Sequence, residues 1–158
     1  MTEMDTIRIA AGVQNEDTLY IRPHLANKKM RAAQTLMQTV YVYGISGCGK
    51  TSFIQSFIGK RRYYSFSAEN MSIDDLDIPL GGKHTIVVID DLHQLRDDEL
   101  RDGLVNKIEA LAGRSDVWLI LSARCRMSPW LVPIYYRKVF TVIEEEDLAL
   151  SREEMAEY

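Results

Sequence analysis

Thr39-Val40-Tyr41-Val42-Tyr43-Gly44-Ile45-Ser46-Gly47-Cys48-Gly49-Lys50-Thr51 is the stretch that decides the fold. Thr39 to Tyr43 is β-branched or aromatic throughout, as suits a central strand covered on both faces. Gly44 to Thr51 matches G-x-x-x-x-G-K-[ST], and a helical stretch from Ser52 to Phe57 follows. A position between strand and helix separates a phosphate loop from a chance match. Glycines at 44, 47 and 49 let the backbone wrap a phosphate chain, with N–H groups turned inward where a Cβ would obstruct them. The helix that follows adds its positive N-terminal end. Lys50 then reaches the β- and γ-phosphates as a point charge, and Thr51 offers its hydroxyl to Mg²⁺. The candidate cofactor-binding set is Gly44, Ile45, Ser46, Gly47, Cys48, Gly49, Lys50, Thr51 and Ser52, and the expected cofactors are ATP or ADP with Mg²⁺. Cys48 fills a slot that contributes an N–H, so it reads as tolerated rather than reactive.

Outward from this stretch, three runs share the strand character: Arg62 to Phe66, Thr85 to Ile89 and Val117 to Leu121, with a fifth strand expected at Lys138 to Ile143. Helical periodicity falls between them, over Ala26 to Gln38 and most clearly over Asp98 to Ala112. There Leu100, Leu104, Ile108 and Leu111 share a face, and Gly113 supplies the stop. Strands alternating with helices predict an α/β fold, the P-loop NTPase three-layer α/β/α sandwich with a mostly parallel five-stranded sheet. Residues 1 to 20 read as an N-terminal arm with one short strand around Ile7 to Ala10.

Asp90 and Asp91 close the apolar run Thr85 to Ile89, which places carboxylates at the C-terminal sheet edge, where open α/β sheets bind ligands. Asp90 is the candidate Mg²⁺ ligand beside Thr51, and Asp91 the group that orients or deprotonates an attacking water. The alternative for the pair is a helix N-cap region. Arg124, after Val117 to Leu121 and Ser122-Ala123, has the charge and planar donors to sense a γ-phosphate; otherwise it is a surface arginine. Asp91, Lys50 and Arg124 are therefore the candidate catalytic residues. His93 reads as packing or hydrogen-bonding beside the site, Trp118 and Trp130 as core or interface, and Lys60-Arg61-Arg62 as a solvated helix end.

The chain of 158 residues is 46% hydrophobic and 27% charged, the profile of one globular domain with its own core. Its net charge of -4 argues against a surface built to neutralise phosphate backbones. Cys48 and Cys125 match no metal-ligand spacing, and the acidic start Met1-Thr2-Glu3-Met4-Asp5 is not a signal peptide. A reducing, cytoplasmic location and no membrane are the expectations. Ser151-Arg152-Glu153-Glu154 is a capping box, with Leu150 and Met155 spaced as a hydrophobic staple. It predicts a helix beginning at 151–158 and leading to further domains, the alternative being a helix that docks on the sheet and ends there. Residues 21–150 are the nucleotide-binding domain in this division.

Together these stretches resemble the nucleotide-binding domain of the STAND class of P-loop ATPases, in the branch of large LuxR-type, MalT-like bacterial transcriptional regulators. The likeness is carried by Tyr43 to Thr51, Val88-Ile89-Asp90-Asp91-Leu92-His93, Leu119 to Arg124, Pro129-Trp130-Leu131 and Glu146 to Glu154. The resemblance implies an ATP/ADP-operated switch in signal transduction, with slow or no hydrolysis in isolation. It also implies following winged-helix, helical-repeat and helix-turn-helix domains, nucleotide-dependent self-association, and DNA contact only through a domain outside this segment. It assigns phosphate and Mg²⁺ to Lys50 and Thr51, the acidic pair to Asp90 and Asp91, and terminal-phosphate sensing to Arg124. It sets Arg22, Pro23 and Leu25 near the adenine. One departure is the short 67–84 crossover, where Ser72 to Leu76 has room for one helical turn before Pro79, Gly81 and Gly82. Two other classes stay open. A small P-loop kinase transferring the γ-phosphate to a small-molecule or nucleotide acceptor would need the arginines at 114, 124, 126 and 137 as a lid. An interaction module that has lost its nucleotide is disfavoured by the intact Gly49-Lys50-Thr51.

Overall fold

A computed structural model of the chain describes residues 9–11, 23–45, 49–79, 84–92, 98–138 and 140–149. In chain order the elements are β1 (Ile9–Ala11), α1 (His24–Leu36), β2 (Val40–Tyr43), α2 (Lys50–Ile58), β3 (Arg62–Ser67), a 3-10 turn (Ile73–Leu76), β4 (Thr85–Asp90), α3 (Asp98–Ala112), β5 (Val117–Ala123), α4 (Val132–Lys138), β6 (Thr141–Ile143) and α5 (Glu145–Leu148). The strand order is β1-β3-β4-β5-β2-β6. β2 to β6 are parallel, and β1 adds an antiparallel edge through Ile9↔Tyr64 and Ala11↔Arg62. The expected five-stranded parallel sheet is present, extended by this sixth strand.

Side chains alternate across the strands and sort into two cores. Tyr41, Val87, Ile89, Leu119, Leu121 and Ala123 pack with α3 and α4 through Leu104, Ile108, Leu111 and Ile134. Val40, Val42, Ile86, Val88, Trp118 and Ile120 pack on the other face, with Met30 and Ala33 of α1 and Phe53 and Phe57 of α2. Helices on both faces make the sandwich three-layered. They also explain why β2, β4 and β5 carry almost no polar residues: neither face reaches water. Trp118 lies in the α1/α2 core, as expected, and Trp130 packs partly buried against the core on the opposite, α3/α4 face. Arg61 closes α2 by donating to the Phe57 and Ile58 carbonyls at 3.1 and 3.0 Å, the favourable cation at a helix C-terminus.

Most boundaries shift by one or two residues from expectation, and three of the differences have a clear local cause. β5 runs on to Ala123, so Ser122 and Ala123 are strand residues rather than the start of a loop. β6 begins at Thr141, because part of the stretch assigned to it from Lys138 belongs to α4, with Pro133 in the first turn where its missing N–H costs nothing. α1 ends at Leu36, where Met37 turns to φ 53° and the Gln38 amide bonds back to Ala33. The short crossover does hold a single turn, with the Asp75 carboxylate accepting from the Ser72 amide at 2.9 Å. The 151–154 capping box and His93 lie outside the described residues.

Candidate functional site

Because β2 to β6 are parallel, their C-terminal ends open on one edge of the sheet. β5 lies between β2 and β4, so the chain leaving Ala123 emerges between the phosphate-loop strand and the acidic strand. The Gly44 amide donates to the Ala123 carbonyl at 3.2 Å and ties the two roots together.

Gly44 is buried and Ile45 is exposed. Gly49 has φ 96°, a left-handed conformation that side chains rarely adopt. Lys50 opens α2, and its ammonium donates back to the Gly44 carbonyl and, at 3.2 Å, to that of Ile45. Thr51 and Ser52 are exposed on the first turn, and the helix ladder begins with the Phe53 amide on Gly49 at 2.9 Å. Pro23 is buried at the start of α1. Ser46, Gly47, Cys48 and Arg22 lie outside the described residues. Among the described residues, chain neighbours aside, no atom lies within 4 Å of where a Gly49 Cβ would sit, and the demand for glycine shown there is conformational. Gly49→Ala is expected to cost about 1 kcal/mol or more of stability, read as a lower urea midpoint at unchanged slope.

At the acidic strand, the Asp90 carboxylate accepts from the Asp91 amide at 2.9 Å. Asp91 takes φ 59°, and its carboxylate accepts from the Ser67 hydroxyl at 2.9 Å. A non-glycine residue in this region is strained, and such strain gathers at functional sites. Leu92, directly after the pair, is in a 3-10 conformation, and α3 spans Asp98–Ala112. Ser65, Ser67, Asn70, Asp75, Asp90 and Asp91 line a cleft of about 270 Å³. Ser67 was not singled out from sequence; its only signal is a hydroxyl at the end of an aromatic strand.

Ser122 was also passed over. It is 1% exposed, and its hydroxyl is a buried group without a hydrogen-bond partner among the described residues. It pairs with Val42 of β2, and the β4–β5 register places it alongside Asp90. An unsatisfied buried hydroxyl costs about 1–3 kcal/mol, and its presence calls for a ligand or water. Arg124 is exposed just beyond it. Among the described residues no three His, Cys, Asp or Glu side chains gather as a metal site. The donors fit a magnesium ion shared with phosphate oxygens, which keeps few protein ligands of its own. Ser122 and the Lys50 ammonium, resting on loop carbonyls, fit a bound phosphate chain.

No protein-family model matches the sequence, and no curated protein matches it. Solved structures do. Drosophila ORC bound to AT-rich DNA and Cdc6 matches with TM-score 0.56 and 16% identity over 82% of this chain and 56% of that one. PCH-2 of C. elegans matches with TM-score 0.52 and 13% identity over 76% of this chain and 39% of that one. NtrX from Brucella abortus, in complex with ATP, matches with TM-score 0.51 and 13% identity over 83% and 38%. At such identities the likeness shows the fold, and the fold is that of the α/β P-loop ATPases. The chain spans less than two thirds of each of these proteins. No helix among the described residues is long and apolar enough to cross a membrane.

Proposed function

We propose that this chain is the ATP/ADP-binding switch domain of a signal-responsive transcriptional regulator of the STAND, LuxR-type kind, with slow or no hydrolysis by itself. The observation that carries the nucleotide reading is the placement of β5 between β2 and β4, which brings Lys50, Asp90 and Arg124 to one sheet edge around the Ser122 hydroxyl, which has no partner among the described residues. In this reading Gly44 to Ser52 hold the phosphates, and Lys50 moves from the loop carbonyls to a phosphate oxygen. Arg22 and Pro23 lie by the adenine. Thr51 and Asp90 hold magnesium, which supplies charge neutralisation on the phosphates. Asp91, braced by Ser67, orients a water, and Arg124 distinguishes the terminal phosphate. The regulator assignment adds the motif resemblance, with residues 21–150 as the nucleotide domain and 151–158 leading to effector domains.

Thermal unfolding with Mg-ATP and with Mg-ADP tests the nucleotide reading. At about 100 times the dissociation constant each should add about 2.7 kcal/mol, and no shift at millimolar concentration contradicts it. The kinase alternative loses two lid candidates. Arg114 is committed to Asp116 and the Ile78 and Pro79 carbonyls, and Arg137 to Glu109.

A further inference from the structure

The connection leaving β5 is rooted on β2 at two points. One is the Gly44 amide on the Ala123 carbonyl; the other is the Tyr41 hydroxyl, which donates to the Cys125 carbonyl at 2.9 Å. Tyr41 is 1% exposed, with its ring in the core on the same sheet face as Leu119, Leu121 and Ala123. Its hydroxyl thus reaches past the last residue of β5 to the turn that carries Arg124 and Arg126, both exposed. Burial raises the Tyr41 phenol above its ordinary range, which keeps it a neutral donor. Packing alone does not need that oxygen, since phenylalanine fills the same space. β2 also delivers the chain into the phosphate loop at Gly44, so one strand holds both the loop and the Arg124 turn.

We infer that Tyr41 is a positioning residue that couples the phosphate loop to the Arg124 turn and sets the site's preference between nucleoside triphosphate and diphosphate. This rests on the nucleotide reading. With the hydroxyl in place, Cys125 and the neighbouring Arg124 are held at a fixed register to the loop, so little ordering remains when the arginine meets a terminal phosphate. Without it, the turn loses its hydrogen bond to Tyr41, and the added ordering cost falls on the triphosphate complex. A diphosphate lacks the group that Arg124 would meet and is indifferent to the change.

The test is the pair of dissociation constants for Mg-ATP and Mg-ADP, measured by displacement of a fluorescent nucleotide, in the unmodified chain, Tyr41→Phe, Arg124→Gln and the double variant. Tyr41→Phe is expected to weaken Mg-ATP about 3–10-fold, the size of one buried neutral hydrogen bond, and to leave Mg-ADP within about two-fold. Arg124→Gln also weakens Mg-ATP, and adding Tyr41→Phe to it costs no more, because both act through one contact. The unliganded thermal midpoint reports any stability cost separately. Equal shifts for both nucleotides in Tyr41→Phe, or no shift, while Arg124→Gln still lowers ATP preference, overturn the inference and leave the nucleotide reading standing. An Arg124→Gln variant with unchanged preference removes the arginine's role and Tyr41's with it. Absence of nucleotide binding by the unmodified chain overturns both.

Discussion

Lys50→Ala should leave the unliganded chain about as stable as before and abolish its response to nucleotide. The unmodified chain should gain about 2.7 kcal/mol from saturating Mg-ATP, or roughly 5–11 °C in midpoint for a domain of this size. The variant should gain nothing at the same concentration. Lys50 is half-buried at the first position of α2, its ammonium donates to the Gly44 and Ile45 carbonyls, and its side chain belongs to neither core cluster, so truncation opens no cavity in them. Its charge is the one the phosphates would meet between the loop and the helix N-terminus. Differential scanning fluorimetry with and without nucleotide reads both quantities. An undiminished shift in Lys50→Ala would place the nucleotide elsewhere.

The opposite dissociation is expected at Trp118. This side chain is 1% exposed in the core between the sheet and helices α1 and α2, with its ring edge-on to Phe57 at 5.8 Å. Its indole N–H donates to the Gln38 carbonyl at 2.9 Å and pins β5 to the segment that joins α1 to β2. Trp118→Ala removes the largest side chain of that core and the donor together, and should cost about 3–5 kcal/mol in urea unfolding. That is a large fraction of the roughly 5–15 kcal/mol that holds a domain folded. Trp118 lies near the N-terminal end of β5, away from the edge where β2 and β4 deliver the loop and the acidic pair. The destabilised variant should therefore keep its nucleotide-induced increment at temperatures where it is folded. A loss below about 1 kcal/mol would mean that the α1/α2 face is not the packed core described here.

The parallel sheet was legible because β2, β4 and β5 are doubly covered, and double burial writes itself as runs such as Ile86-Val87-Val88-Ile89. α3 was legible from its apolar stripe, and its bounds agree with those read from sequence. α4 was not. Leu131-Val132-Pro133-Ile134 mixes an apolar run with a proline, and the β-branched character of the stretch that follows spreads a strand signal back over the helix end. α5 spans a single turn, too short for any periodicity to register; its Asp147 carboxylate instead takes the Glu144 amide and the Lys29 ammonium. The candidate phosphate loop and acidic pair could be singled out because the pattern that marks them lies in adjacent residues. Ser67 and Ser122 could not, since a strand hydroxyl matters only through its neighbours across the sheet. That β5 is threaded between β2 and β4 is a fact of crossover, not of chain order.

The central claim, that the edge formed by β2, β5 and β4 binds Mg-nucleotide at Lys50, is tested most directly by calorimetric titration of Mg-ATP into the unmodified chain and into Lys50→Ala. The account predicts saturable binding of one nucleotide per chain, weakened by chelation of magnesium and absent in the variant. Failure of the unmodified chain to bind at millimolar Mg-ATP, or equal binding by Lys50→Ala, would contradict it.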